Sequence, residues 1–209
     1  MRLYHFVDKN HGLDDLRKQR LKIARIHQLN DPFEFLGVDL TEPFFRQALE
    51  KSKWDLSQSN GLLCFSHNWS NPVLWGHYAD KHRGLCLGFD LPDGLPQEIT
   101  YIANRMPQPK QVDEAFTRNL LFTKFDHWRY EEEYRVYVSL ETDEGGLFFS
   151  EFGENLVLRQ VIVGCESDTT RHELELALGD QSSKVSFIKA RLDYRKFSMV
   201  RNHDHNAFG

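Results

Sequence analysis

The sequence predicts an α+β fold: one domain over residues 1–200, built around a bent or split mixed β-sheet flanked by helices. Three observations carry this. Candidate strands and helices alternate irregularly, without a repeated βα unit. Several candidate strands, among them Leu62–Ser66, Gly84–Phe89 and Leu156–Gly164, are apolar on both faces, as strands covered from two sides are. No Gly-x-Gly-x-x-Gly joins a strand to a helix and no Walker phosphate loop occurs, which argues against a doubly wound nucleotide-binding sheet.

Taken in order, Leu3–Val7 is apolar and ring-rich and suits a first strand. Asp14 to about Leu29 carries Leu16, Ile23, Ile26 and Leu29 among charges, the spacing of a helical stretch, which Asn30-Asp31-Pro32 stops. Thr41-Glu42-Pro43 starts a second helix that runs to about Lys53. After the Leu62–Ser66 strand, Asn71 and Pro72 begin a short helix to Lys81, followed by the Gly84–Phe89 strand and a turn at Leu91-Pro92-Asp93-Gly94. Ile99–Ala103 reads as a strand, Pro107 and Pro109 as a loop, and Val112–Phe125 as an amphipathic helix. Tyr134–Leu140 alternates as a strand, Gly145-Gly146 turns, and Leu156–Gly164 is a strand. A capped helix from about Asp168 to Leu178 and a last strand over Val185–Leu192 follow, and residues 201–209 read as a loose polar tail.

Composition sets the outer bounds. The chain has 209 residues, 40% hydrophobic and 27% charged, with a net charge of -5, a balance that disfavours broad binding to nucleic acid. No run of 18 apolar residues occurs and the first residues lack a signal-peptide core, so the expectation is a cytoplasmic protein with no membrane partner. The three cysteines, Cys64, Cys86 and Cys165, sit in apolar runs with no Cys-x-x-Cys, as reduced core thiols do. Sixteen Phe against three Met call for a large ring-rich core or a ring-lined pocket.

Four segments set reactive groups among rings. Tyr4-His5-Phe6 places His5 on the first strand, where it can bond a ligand or a backbone carbonyl. Asn30-Asp31-Pro32-Phe33-Glu34-Phe35 is a side-chain-capped turn around Asp31, either structural or one wall of a cleft. Trp75–Gly84 holds Trp75, His77, Tyr78, Asp80, His82 and Arg83. In a helix Trp75 and Tyr78 share a face, offering a ring for a planar base and a nearby cation for a phosphate. His77 and His82 are five apart, which does not put two ligands on one helical face, so no metal is expected. In Trp128–Arg135, strand alternation sends Tyr134, Val136 and Val138 to the core and Glu131, Glu133 and Arg135 to a cleft-side face. The competing reading is a solvated charge run with Glu–Arg pairing.

Together these segments resemble a large, mostly bacterial family known as domain of unknown function 2971. Its members look alike in an opening Tyr-His-Tyr/Phe, an Asn-Asp-Pro-Phe-Glu loop, a Phe-Ser strand, a Trp-x-His-Tyr-Ala-x-x-His-x-Gly segment and a late Trp-x-Tyr-Glu-x-Glu-Tyr/Trp-Arg. Here these are Tyr4-His5-Phe6, Asn30–Glu34, Cys64-Phe65-Ser66, Trp75–Gly84 and Trp128–Arg135. The resemblance spans nearly the whole chain, with Phe6 where Tyr is commoner. A weaker similarity is to the His–Tyr–Glu layout of ADP-ribosyltransferases, whose split sheet grips NAD. It implies an ADP-ribosyltransferase or NAD glycohydrolase, with a toxin or phage-defence role. His5 would contact a ribose, Tyr78 would stack on nicotinamide, and Ser66 would serve as the central-strand Ser. Glu133, or else Glu131, would steady the oxocarbenium-like state. Trp75, His77, His82, Arg83 and Asp31 would line the substrate. The implied ligand is a dinucleotide, NAD, used as substrate, and the acceptor stays open between protein and nucleic acid.

Two other readings remain. His77, Asp80, His82, Glu131 and Glu133 can supply an acid–base or metal-assisted set for phosphodiester cleavage. Alternatively, the Trp75–Gly84 block is a folding nucleus or binding surface in a non-catalytic module of a defence system.

Overall fold

The computed structural model describes residues 1–204 and 207–208. In chain order it contains β1 (Arg2–Val7), α1 (Lys9–Lys18), β2 (Arg20–Lys22), β3 (Ala24–Arg25), α2 (Pro43–Ser59), β4 (Asn60–Ser66) and α3 (Pro72–Tyr78). There follow β5 (Leu85–Asp90), β6 (Gln97–Glu98), β7 (Thr100–Ile102), α4 (Glu114–Leu121), β8 (Thr123–Phe125), β9 (Glu133–Ser139) and β10 (Phe149–Glu151). The last elements are β11 (Val157–Val163), α5 (Arg171–Leu178), β12 (Ser186–Leu192) and β13 (Met199–Arg201). The fold is α+β with a mixed sheet, as the irregular alternation predicted. Among the described residues, no helix is long and apolar enough to cross a membrane.

The chain divides into two compact units. The first takes Met1–Leu21, Phe65–Leu95 and Ser150–Gly209, and the second Lys22–Cys64 and Pro96–Phe149.

In the first unit the strand order is β13-β12-β11-β5-β1. β11 and β12 run parallel, with α5 between them in sequence, and the remaining pairs are antiparallel. The apolar reading holds for β5 and for Val161–Val163 of β11, where both faces are covered, while Arg159 earlier in β11 is exposed. Cys86 and Ile162 join Trp75, Ala79, Ile188 and Met199 on one side. Their neighbours Leu85, Leu87, Val161 and Val163, which point the other way, are also fully buried. α5 starts at a capping box in which Thr170 and Glu173 satisfy each other's backbone N–H groups.

In the second unit β3 pairs with β4, β6 with β9, and β9 neighbours β4. β7 and β8 form a parallel pair. Pro43 opens α2, and the Glu42 carboxylate accepts the N–H groups of Phe44 and Phe45. The core gathers Ile26, Phe35, Val38, Leu49, Leu62, Ile99, Leu120 and Phe122.

Several boundaries differ from the sequence reading. The helix expected over Asp14–Leu29 instead starts at Lys9, capped by Asp8, and ends at Gln19 in the left-handed region. Beyond it come β2, β3 and a single 3-10 turn, because Leu21, Ile23 and Ile26 are buried from extended and turn backbone. The short helix ends at Tyr78, three residues early, since Asp80, Lys81 and His82 all adopt positive φ. The helix expected over Val112–Phe125 covers only Glu114–Leu121, and its end becomes β8. The tail is tied down at its start: Arg201 closes β13 and the Asn202 N–H donates to the Lys189 carbonyl. His205, Asn206 and Gly209 of that tail lie outside the described residues.

Candidate functional site

The second unit carries the strongest concentration of chemistry. It begins in the Asn30–Leu36 loop. The Asp31 carboxylate accepts the Phe33 N–H at 2.9 Å, and the Glu34 and Leu36 N–H groups bond back to Asp31 and Phe33 carbonyls. This is the side-chain-capped turn that Asn-Asp-Pro predicted. Phe35 closes it at a φ of 68°, a left-handed conformation that a bulky residue holds only when its surroundings enforce it. The result sends Phe33 out to solvent and turns Glu34 and Phe35 inward.

Glu34 meets Arg135 of β9. All five Arg135 N–H donors are engaged: two with Glu34 at 2.9 and 2.5 Å, two with Glu133 at 2.7 and 3.0 Å, and one with the Leu121 carbonyl at 2.7 Å. Lys124 of β8 completes the network. Its ammonium bonds Glu131 and, at 3.0 Å, Glu133, lies 3.6 Å from Glu34, and stands 4.9 Å from the centre of the Trp128 ring. All five charged side chains are buried. Three carboxylates face two cations, so the cluster holds one negative charge in excess.

The electrostatics follow from burial against charge. Burial pushes the Glu133 carboxyl up, but Arg135 and Lys124 outweigh it and hold it down at about 2. Burial lowers the Lys124 ammonium, and Glu133, Glu131 and Glu34 together raise it above the usual lysine range. Burial also pushes the neighbouring Cys64 thiol well up, and Glu133 adds to that. Tyr101, whose oxygen accepts the Glu133 backbone N–H at 2.9 Å, is driven to about 12 chiefly by burial.

Lys124 also lines an open cavity of about 250 Å³. Its walls include Phe33, Ile102, Asn104, Arg105, Thr123 and Phe125. The rim is aromatic and cationic. Phe33 and Phe125 are both exposed, the Arg105 guanidinium lies 5.7 Å from the Phe33 ring centre, and His127 stacks on Phe125 at 4.5 Å.

The alternation expected for Glu131–Tyr137 is corrected by this geometry. Glu131 ends a 3-10 turn, Glu132 is left-handed with φ 45°, and the strand begins only at Glu133. Glu133 and Arg135 do share a face, but that face is buried under the Asn30–Leu36 loop and Lys124, not open as a cleft wall. Sequence reading missed Lys124, which it assigned to a helix, along with Arg105 and Phe125. The available signal was a charge deficit: acids at the head of a covered strand require buried cations nearby.

The other predicted site residues fall in the first unit. His5 is half-buried on β1 with its ring edge-on to Phe65 at 6.0 Å. Ser66 is buried, and its hydroxyl exchanges hydrogen bonds with the Asn68 backbone at 3.1 and 3.2 Å. Trp75 is wholly buried, its indole N–H donates to the Trp69 carbonyl at 2.7 Å, and Phe6 packs edge-on at 5.3 Å, the environment of a core residue. Tyr78 is half-buried with the exposed His77 edge-on to it at 5.9 Å. Arg83 is exposed and pairs with Asp80. His82 is partly buried, and its Nδ1 lacks a hydrogen-bond partner. Burial lowers its pKa, and Glu166 opposes that. The left-handed run ending at His82 is fixed from outside: a Cβ on Gly164 would stand 2.1 Å from the His82 carbonyl oxygen, so only glycine fits there. Thus His5, Ser66 and Tyr78 belong to the first unit and Glu131, Glu133 and Asp31 to the second, and of the phosphodiester set His77, Asp80 and His82 belong to the first and Glu131 and Glu133 to the second.

Compared with known proteins, the chain matches no family model, no curated protein and no solved structure.

Proposed function

We propose that the second unit binds a nucleotide in the cavity at Lys124, with NAD as the first ligand to consider. One observation carries this reading: two exposed phenylalanine rings, Phe33 and Phe125, flank a cavity whose wall also holds Arg105 and Lys124. Rings of this kind take a planar base, and a guanidinium takes a phosphate. At about 250 Å³ the cavity is slightly smaller than sites that enclose a drug-sized ligand, so it accommodates a base with part of its ribose while the phosphates lie along the rim. Asn104 supplies the polar edge that orients a base amide. Calorimetric titration with NAD should show saturable heat, weakened about tenfold or more in Arg105→Ala and in Phe125→Ala, a loss of roughly 1.4 kcal/mol each. No heat with millimolar NAD, or unchanged affinity in both variants, would overturn the reading.

A second reading, cleavage of NAD as in ADP-ribosyltransferases or NAD glycohydrolases, rests on Lys124, which both lines the cavity and holds the Glu133 carboxylate at 3.0 Å. A carboxylate held near a pKa of 2 is charged throughout the physiological range, as a group stabilising an oxocarbenium-like ribose must be. Both its oxygens are engaged by Arg135 and Lys124, so catalysis requires it to exchange one partner for the ribose. Nicotinamide release by the wild type that disappears in Glu133→Gln, with NAD binding retained, supports this. Binding without release leaves a nucleotide-binding module.

A further inference from the structure

We propose that the β12–β13 hairpin tip, Arg191–Phe197, is a docking point for an anionic lipid surface. Within six residues it exposes three large apolar side chains: Leu192 at 55%, Tyr194 at 87% and Phe197 at 102% of their full accessibility. Burying rings is strongly favourable, so a cluster held in water at one tip points to a surface that covers it. The cations Arg191, Arg195 and Lys196 are interleaved with the rings, against one acid, Asp193. That acid works within the turn, its carboxylate accepting the Arg195 N–H at 2.8 Å.

The tip is a built projection. Asp193 N–H donates to the Ser198 carbonyl and Ser198 N–H to the Lys196 carbonyl, both at 2.9 Å. At its root Met199 is fully buried and its N–H bonds the Ser70 carbonyl at 2.7 Å. The Arg191 guanidinium stands 4.6 Å from the Tyr194 ring centre and braces it. Rings and cations held outward together match the interfacial zone of a bilayer, where Tyr sits at the headgroup level, Phe and Leu enter the acyl boundary, and Lys and Arg meet anionic lipid. A single nucleic-acid strand calls for a groove that tracks successive phosphates, whereas this is a convex point. With only three apolar side chains the tip is a single weak anchor, reversible and salt-sensitive.

The test is co-sedimentation of the full chain with vesicles of phosphatidylcholine alone and with about 30% phosphatidylserine, at low and at physiological salt. The expected result is binding to the phosphatidylserine vesicles, reduced about tenfold or more in the double variants Tyr194→Ser/Phe197→Ser and Arg195→Glu/Lys196→Glu and by added salt. Because these side chains are exposed, the thermal melts of both variants should match the wild type, and Tyr194→Trp should show a blue-shifted emission on adding the same vesicles. Equal binding to both vesicle types, no binding, variants that bind like the wild type, or capture of an oligothymidylate in place of vesicles would each overturn the proposal.

Discussion

At Arg135, five N–H donors meet two carboxylates and a carbonyl with almost no water nearby. Taking these charges from water is expensive, and only complete pairing offsets it. Removing a partner therefore costs more than the pair contributes. Arg135→Ala leaves Lys124 alone to face three buried carboxylates and should destabilise the chain by about 3–5 kcal/mol in urea unfolding. Glu133→Gln keeps the shape and leaves Lys124 with Glu131 and Arg135 with Glu34, so it strands no buried charge and should cost no more than the lower end of that range, the part that the ionised carboxylate contributes. A larger cost in Glu133→Gln than in Arg135→Ala would refute this ordering. The pH dependence has a fixed sign. The folded pKa of Glu133, about 2, lies below its ordinary value of 4.5. Its contribution is therefore fully present above pH 4.5 and is lost as pH falls through 2, by about 3 kcal/mol in all. In Glu133→Gln that part of the acid-induced loss should vanish.

Within α1 the sign is reversed. Asp15 is buried on the inner side of the helix, and burial, helped by Asp14, raises its carboxyl to about 7. From pH 3.8 upward the unfolded chain releases a proton that the folded helix keeps, so stability falls as pH rises, until Asp15 ionises in the fold near 7. Asp15→Asn should therefore melt higher than the wild type at pH 8, by up to roughly 3–4 kcal/mol in unfolding free energy, and equal it near pH 3.5. A gain of the same size at both pH values would show that packing, not ionisation, is the cause. Elements such as α1 also mark how far the sequence was legible. Strands β1, β4, β5, β9, β11 and β12 were readable because apolar runs and alternation report burial directly. The helix starts at α2 and α3 were readable because Glu42 and Asn71 cap locally, whereas α5 starts at Arg171, three residues beyond the expected Asp168. The Leu21–Ile26 stretch was misread because its apolar residues have helical spacing but are buried from strand and turn backbone. Lys124 was missed because it fell inside an expected helix: Glu131 and Glu133, seven and nine residues on, call for a buried cation, but the third carboxylate of its site, Glu34, lies ninety residues away.

Across the whole chain, sequence order and spatial order are interleaved. Each unit is assembled from separated stretches, so neither exists as a continuous fragment. A chain cut after Leu95 keeps β1 and β5 of the first unit but loses β11, the neighbour that pairs with β5 from Val157 to Val163. It keeps β3, β4 and α2 of the second unit but loses β9, and with it Arg135, leaving Glu34 inward-facing without its bidentate partner. Each loss uncovers an apolar strand face or a buried charge, and neither fragment core can close alone. Cys86 offers a direct probe, since in the intact chain it is wholly buried on β5 against Ile162 and its thiol is pushed well above the ordinary range by that burial. A reagent that reads thiols should modify Cys86 slowly in the full chain and at the rate of a free peptide thiol in residues 1–95. The same fragment should show no cooperative thermal transition, while adding residues 96–209 in trans should restore protection of Cys86. Fragment 1–95 melting cooperatively with Cys86 protected would mean that β1 and β5 close a core without β11, against the pairing seen here.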